Sequence, residues 1–410
     1  MPPDEVTGVA TTGSPDHGLR HGDPSLVSAR VRQIDTAVAY VVTGHLEQLL
    51  KRRVAQAGEV NPTFGADIAE RVRRFTLGGG RRARPQFLWW ALRACGMPDD
   101  QQMEAALQLG AALELLQTCA LVHDDVMDQA QSRRGRPSVH VDCAAQYARP
   151  LPSDGRRFGE SSAILVGDLA LAWADDEAAC LDLPTWHAGR IRDIWSRMRL
   201  EMVAGQYLDI QGEATQSRSL SQAVSAACLK SALYTVERPL QLGATLGGAD
   251  EATLRALCSA GRDAGLAFQL RDDLDDAFGD PSRRRDKPAG GDLRAGKPTY
   301  LVALAHAQAT VDGDHHALKV LGHALGRSDA TDEDLDEVRD VLERTGARRD
   351  VEDKICRLIA QSKRNLDAAP LDPVARARLH ALVHHVAASP AAAGEPAGGL
   401  SAGAAQGAAC

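Results

Sequence analysis

The chain has 410 residues, 44% of them hydrophobic but only 4% aromatic, with alanine and leucine dominant, which favours helix over sheet and can fill a sizeable core. A formal net charge of −8 argues against a nucleic-acid partner recognised by overall charge. Eight cysteines are scattered without C-x-x-C pairing, which argues against a zinc site or a disulfide framework and for a reducing, cytoplasmic setting.

Residues 1 to about 28 carry Thr, Gly, Pro, Asp and His without apolar periodicity. They are expected to form a disordered extension with no secretory signal. At 78–85 the chain reads Gly78-Gly79-Gly80-Arg81-Arg82-Ala83-Arg84-Pro85. Glycines there leave backbone amides open, and arginines can fork onto phosphate. Residues 105–128 are apolar almost all round and are expected to form a central helix. Gln108, Glu114 and Gln117 within that stretch argue for burial in protein rather than membrane insertion.

That helix ends in Asp124-Asp125-Val126-Met127-Asp128, of the form D-D-x-x-D. Residues four apart share a helix face, so Asp124 lies over Asp128, with Asp125 extending the patch. Carboxylates packed this way repel one another unless cations neutralise them, and a helix C-terminus disfavours them further. Such a local conflict points to a functional site. Arg133 and Arg134 follow closely. Residues 150–159 read as a Pro/Gly-rich connection, and Lys230 stands out in Lys230-Ser231-Ala232-Leu233-Tyr234-Thr235.

A second cluster of the same form, Asp272-Asp273-Leu274-Asp275-Asp276, follows Phe268-Gln269-Leu270. Gly279-Asp280-Pro281 should end its helix sharply. The polar, Gly-rich stretch 283–297, with Lys287 and Lys297, reads as a mobile loop. The last segment, 389–410, is Ala/Gly/Pro-rich and reads as a flexible tail. Two carboxylate clusters accompanied by four basic groups suit magnesium, which takes one or two carboxylates and completes its shell with water and substrate phosphate. A diphosphate is the natural ligand of such a site.

In combination these motifs resemble the trans-isoprenyl diphosphate synthases. Gly79-Gly80-Arg81-Arg82-Ala83-Arg84-Pro85 is similar to that family's G-G-K-R-x-R-P. Residues 121–128 followed by Arg133-Arg134-Gly135-Arg136-Pro137 resemble its first aspartate-rich region. Gly205-Gln206-Tyr207-Leu208-Asp209 resembles G-Q-x-x-D, and Lys230-Ser231 with Tyr234-Thr235 resembles K-T-x-x-Y-T. Residues 268–276 resemble F-Q-x-x-D-D-x-x-D, and Gly290-Gly291-Asp292-Leu293 with Gly296-Lys297-Pro298-Thr299 resembles the loop G-x-D-L-x-x-G-K-x-T.

The resemblance implies an all-α bundle of long helices around a central cavity, usually homodimeric, with residues 29–388 as the catalytic domain. It implies about three Mg2+ held by Asp124, Asp128 and Asp272, with Asp125, Asp273 and Asp276 in support. Arg133, Lys230, Gln269 and Lys287 would assist the diphosphate of an allylic substrate. Isopentenyl diphosphate would bind through Arg81, Arg84, Gln117 and Arg134, with Ser231 and Lys297 also on the substrate side. The implied reaction is ionisation of the allylic diphosphate, attack by the isopentenyl double bond and loss of a proton.

Arg81 stands where the family usually has Lys, Gln117 where many members have His, Ser231 where Thr is usual, and Asp286 precedes Lys287 where Gly is common. None of these removes a metal ligand. In this family the growing tail runs past the residues before the first Asp cluster, where Cys119 and Ala120 are both small. Leu116 is the next possible stop, one turn back. The expectation is geranylgeranyl diphosphate, with farnesyl or longer products as alternatives. A class I terpene cyclase would want an N-x-x-x-S-x-x-x-E motif, but neither Asn61 nor Asn365 has Ser four residues on. A non-catalytic subunit should have lost one cluster, and a metal hydrolase would want further His ligands beyond His123.

Overall fold

In this computed structural model, residues 24–146, 155–279, 290–327 and 329–387 are described. The N-terminal part is α1 (Pro24–Thr36), α2 (Val38–Val60), α3 (Pro62–Phe64), a π-helical turn (Gly65–Ala69), α4 (Glu70–Leu77), α5 (Ala83–Ala94) and α6 (Asp100–Met127). A minimal hairpin of β1 (Ser132–Arg133) and β2 (Arg136–Pro137) leads into α7 (Val139–Gln146), α8 (Gly155–Ala179) and α9 (Thr185–Ala214). Then come α10 (Leu220–Ala227), a second π-helical segment (Cys228–Glu237), α11 (Arg238–Leu246) and α12 (Glu251–Phe278). The C-terminal part is α13 (Gly291–Ala295), α14 (Tyr300–Asp312), α15 (His315–Ala324), α16 (Asp332–Arg344), α17 (Ala347–Asp367) and α18 (Pro373–Ala387).

The all-α expectation holds. Two boundaries differ from the sequence reading. The extension expected to reach residue 28 gives way to helix at Pro24, and the connection expected at 150–159 gives way to α8 from Gly155. In both cases glycine or proline sits in a helix's first turn, where it costs little because those N–H groups have no helical partner. Part of the 283–297 stretch is ordered as α13. Lys287 and the 389–410 tail lie outside the described residues.

The central helix is α6. Asp99 caps it by accepting from the Gln102 N–H, while the Gln102 side chain returns to the Asp99 N–H. From Met103 to Val122 most of its side chains are buried. Among the described residues it alone is long and apolar enough to cross a membrane, but 78% of its most apolar window is buried in the protein. It packs chiefly against α8, and α12 packs against α17 and the second π-helical segment. One apolar core surrounds α5, α6 and α8, and a second joins the later part of α12 to α14–α17. Helix α12 belongs to both, through Leu257 and Ala264 in the first and Leu270 and Leu274 in the second. Its Asp cluster thus rides on a helix fixed at both ends of its length.

Candidate active site

The first Asp cluster ends α6, where Asp128 is the C-cap. Four elements bring polar groups to it. The hairpin turn has Arg134 at φ 54° and Gly135 at φ 69°, both left-handed, which closes β1 on β2 in two residues. This aims Arg133 back at α6, where its Nε donates to Asp125 Oδ1 at 2.8 Å and its Nη2 reaches Asp124 Oδ2 at 3.1 Å. From α9, Gln206 Nε2 donates to Asp124 Oδ1 at 3.2 Å. From the π-helical segment, Lys230 Nζ lies 3.1 Å from Asp124 Oδ1 and 2.6 Å from Asp209 Oδ2. Burial pushes the Lys230 ammonium down, but Asp124 and Asp209 outweigh it and the group is held above its ordinary range.

Lys297 completes the ring, with Nζ 2.7 Å from Asp128 Oδ2 and 3.8 Å from Asp292 Oδ1. Its loop is locally determined. Gly296 ends α13 at φ 70°, where an added Cβ would stand 2.6 Å from the Gly326 backbone, so only glycine fits. Thr299 caps α14 by accepting from Val302 N–H, and Pro298 packs onto Gly212 of α9. Asp128, Asp209 and Asp292 hold the Lys297 ammonium well above its ordinary value against the cost of burial.

The second cluster ends α12. Asp273 and Asp276 are buried and Asp272 is exposed. Gln269 Nε2 donates to Asp273 Oδ1 at 2.8 Å, and the Asp292 N–H donates to Asp276 Oδ2 at 2.9 Å. Burial raises the Asp273 carboxyl well above the usual carboxylate range, with the Asp292, Asp272 and Asp209 charges adding and Gln269 opposing. Asp292 therefore joins the two clusters: its N–H holds Asp276, and its carboxylate faces the Lys297 that holds Asp128.

The π-helical segment sits where it does because glycines face it on both sides. A Cβ on Gly205 of α9 would fall 2.2 Å from Lys230 N, and one on Gly265 of α12 would fall 2.4 Å from Ala232 O. A widened helical turn at a functional site is a common use of π geometry. Ser231 lies half-buried beside Lys230 on this segment.

The other basic groups gather at the start of α5. Arg134 Nη1 donates to Gly79 O at 2.8 Å, joining the hairpin to the glycine-rich loop. Arg84 stacks over the Tyr234 ring at 4.2 Å and donates from Nη2 to Thr235 Oγ1 at 3.0 Å, while Arg81 is exposed. Buried acceptor Gln117 Oε1, donor Arg84 Nε and Tyr234 Oη have no partner among the described residues. Buried polar atoms of this kind are rare unless a ligand or water completes them.

Upstream of the cluster, Leu116 and Cys119 are buried and Ala120 is half-buried. His123 is wedged against α8, its Nε2 3.1 Å from Ile164 O, and a Cβ on Gly167 would fall 2.1 Å from it. It is a packing residue. Gln206, Asp209 and Asp292 had no assigned role in the sequence reading, although each lies inside a quoted motif.

Among the described residues no three His, Cys, Asp or Glu side chains converge as a ready metal cage. Magnesium keeps water and substrate phosphate in its shell and needs few protein carboxylates. The hard oxygen donors at the ends of α6 and α12 fit such an ion.

Comparison with known proteins agrees with this geometry. A family model described as polyprenyl synthetase matches residues 66–342. The geranylgeranyl pyrophosphate synthase of Corynebacterium glutamicum, solved with isoprenyl diphosphate and magnesium, is 36% identical with a TM-score of 0.80, covering 85% of this chain and 97% of its own. A geranylgeranyl diphosphate synthase from Sulfolobus acidocaldarius is 32% identical over 65% of this chain and 74% of its own. A (2E,6E)-farnesyl diphosphate synthase from Mycobacterium bovis is 30% identical over 68% of this chain and 71% of its own. The chain belongs to the polyprenyl synthetase family, the trans-isoprenyl diphosphate synthases, and is a prenyl-transferring enzyme.

Proposed function

We propose that this enzyme condenses isopentenyl diphosphate with an allylic diphosphate and releases chiefly geranylgeranyl diphosphate. The observation that carries the reading is the Asp128–Lys297–Asp292–Asp276 connection, which makes one site of two carboxylate clusters on different helices. About three Mg2+, held by Asp124, Asp128 and Asp272 with Asp125, Asp273 and Asp276 behind them, would supply positive charge against the diphosphate.

Lys230, Lys297 and Arg133 already stand among those carboxylates and would turn to the allylic diphosphate, with Gln269 and Lys287 assisting. Their charge stabilises the negative charge that builds on the leaving group. Arg81, Arg84, Gln117 and Arg134 would hold isopentenyl diphosphate, with Ser231 nearby. The orphaned atoms of Arg84 and Gln117 support this. Once the allylic C–O bond breaks, the isopentenyl double bond attacks the cation, and the released diphosphate takes up the proton that is then lost.

Small Cys119 and Ala120 support a product of twenty carbons, with Leu116 as the next stop. A farnesyl synthase is the second reading, favoured by the likeness to the mycobacterial farnesyl synthase. A second copy of the chain is the proposed partner. Leu200, Val203, Tyr207 and Ile210 of α9 form an exposed stripe at helical spacing, and Phe158 and Leu165 of α8 are exposed too. The cysteines from Cys95 to Cys356 are all unpaired, which supports a cytoplasmic setting.

The test is incubation with Mg2+, isopentenyl diphosphate and, separately, dimethylallyl, geranyl or farnesyl diphosphate, with products identified by mass spectrometry after dephosphorylation. A twenty-carbon alcohol is expected. A fifteen-carbon stop would retain the reaction and overturn the chain length, and cyclised hydrocarbon or no turnover would overturn the reaction itself.

A further inference from the structure

Of the three arginines at 81–84, the middle one is the most deeply buried. Arg82 is the N-cap of α5 with φ 50° and ψ 40°, a left-handed conformation that arginine rarely adopts. Its side chain is buried and pairs through Nη1 with Glu114 Oε2 of α6, while Nη2 donates to Thr76 O at 2.7 Å. Glu114 is buried as well. Beside this pair, Thr76 Oγ1 and Thr118 Oγ1 are 2.8 Å apart. One guanidinium thus ties the end of α4, the glycine-rich loop and the middle of α6 together.

The turn of α6 it grips is the turn that carries Gln117, since positions three and four apart share a helix face. A buried ion pair is a poor source of stability compared with apolar packing, but it is directional. Left-handed strain at a non-glycine residue persists only where its surroundings over-determine it. We propose that the Arg82–Glu114 pair is a positioning device for the isopentenyl diphosphate side of the site. It touches no substrate. It fixes the kink between Arg81 and Arg84 and holds both in register with Gln117. The inference rests on the reading of Arg81, Arg84 and Gln117 given above.

The test measures initial rates of Glu114→Gln and Arg82→Lys while each substrate is varied in turn. For Glu114→Gln, KM for isopentenyl diphosphate rises about tenfold or more, while KM for the allylic diphosphate and kcat stay within about twofold. Arg82→Lys, which keeps a charge for Glu114 but loses the fork to Thr76, shows a smaller rise of the same kind. If Glu114→Gln does not fold, Arg82→Lys carries the test, with direct titration of isopentenyl diphosphate as a second measure. Both KM values and kcat moving in parallel, or neither KM moving, overturns the proposal. Wild-type protein that forms no condensation product overturns the underlying function instead.

Discussion

The two aspartate clusters share a sequence form and a place at the end of a long helix, yet different elements of the described residues reach them. At the end of α6, side chains from the hairpin, α9, the π-helical segment and the loop after α13 all reach in, and three of them are cations. At the end of α12, the contacts to Asp273 and Asp276 include the Gln269 amide and the Asp292 backbone N–H. At the first cluster the protein's own cations stand against the carboxylates. At the second, burial works against the charge on Asp273. The same five-residue motif can therefore be held by different partners, and what decides is which elements the fold brings against it.

Removing one carboxylate from each cluster is the strongest test. Asp124→Ala and Asp272→Ala should each lower kcat/KM by about a thousandfold, the scale for losing a main stabiliser of developing charge. Their thermal stabilities should diverge. Asp124→Ala strips a partner from Lys230, Arg133 and Gln206 and should cost about 1–3 kcal/mol. Asp272 is exposed, where ion pairs contribute about 0–1 kcal/mol, so its variant should melt close to the wild type. Near-wild-type turnover in either variant would sink the metal assignment, and equal melting shifts would erase the contrast between the clusters.

Much of this site was legible in the sequence because its motifs are local. D-D-x-x-D places carboxylates on one face by helical period alone, and Arg133 lies only a hairpin away. The helical class followed from composition, and the buried reading of 105–128 followed from apolar residues on every side. What the chain alone does not display is tertiary. Asp209 gains its meaning from Lys230, which approaches from another element, and Asp292 from Asp276 on α12. The π-helical character of Cys228–Glu237 has no distinct periodicity to announce it, and Gly205 and Gly265 show their purpose only when that segment lies against them.

Those glycines give the next test, because they control how Lys230 is delivered to the first cluster. Gly205→Ala puts a methyl group against Lys230 N, where backbone has to move. Overpacking of this kind costs about 1–3 kcal/mol, and a displacement near 1 Å at Lys230 should lower kcat by about a hundredfold. Gly265→Ala presses on Ala232 from α12 and should cost comparable stability with a smaller loss of turnover, since its clash lies two residues beyond Lys230. Differential scanning fluorimetry beside initial rates separates the two. If Gly265→Ala loses as much kcat as Gly205→Ala, the segment moves as one body and Lys230 is not placed from the α9 side alone.

The smallest effect on rate should come from the residues upstream of each cluster, and it should appear in product length. Ala120 lies four residues before Asp124 and is half-buried, and Phe268 lies four before Asp272 and packs partly against the core. If the tail runs along α6, Ala120→Phe raises a floor one turn below the metal site and shifts the main product from twenty carbons to fifteen. Turnover should stay within about tenfold, because no group that meets a diphosphate is altered. Phe268→Ala, the matched change on α12, should cost stability through lost packing, about 3 kcal/mol at most for a partly buried ring, and leave product length unchanged. Chain lengths read by mass spectrometry decide it. Shortening in Ala120→Phe alone places the hydrocarbon path beside the ion-paired cluster, whereas lengthening in Phe268→Ala would place it beside α12.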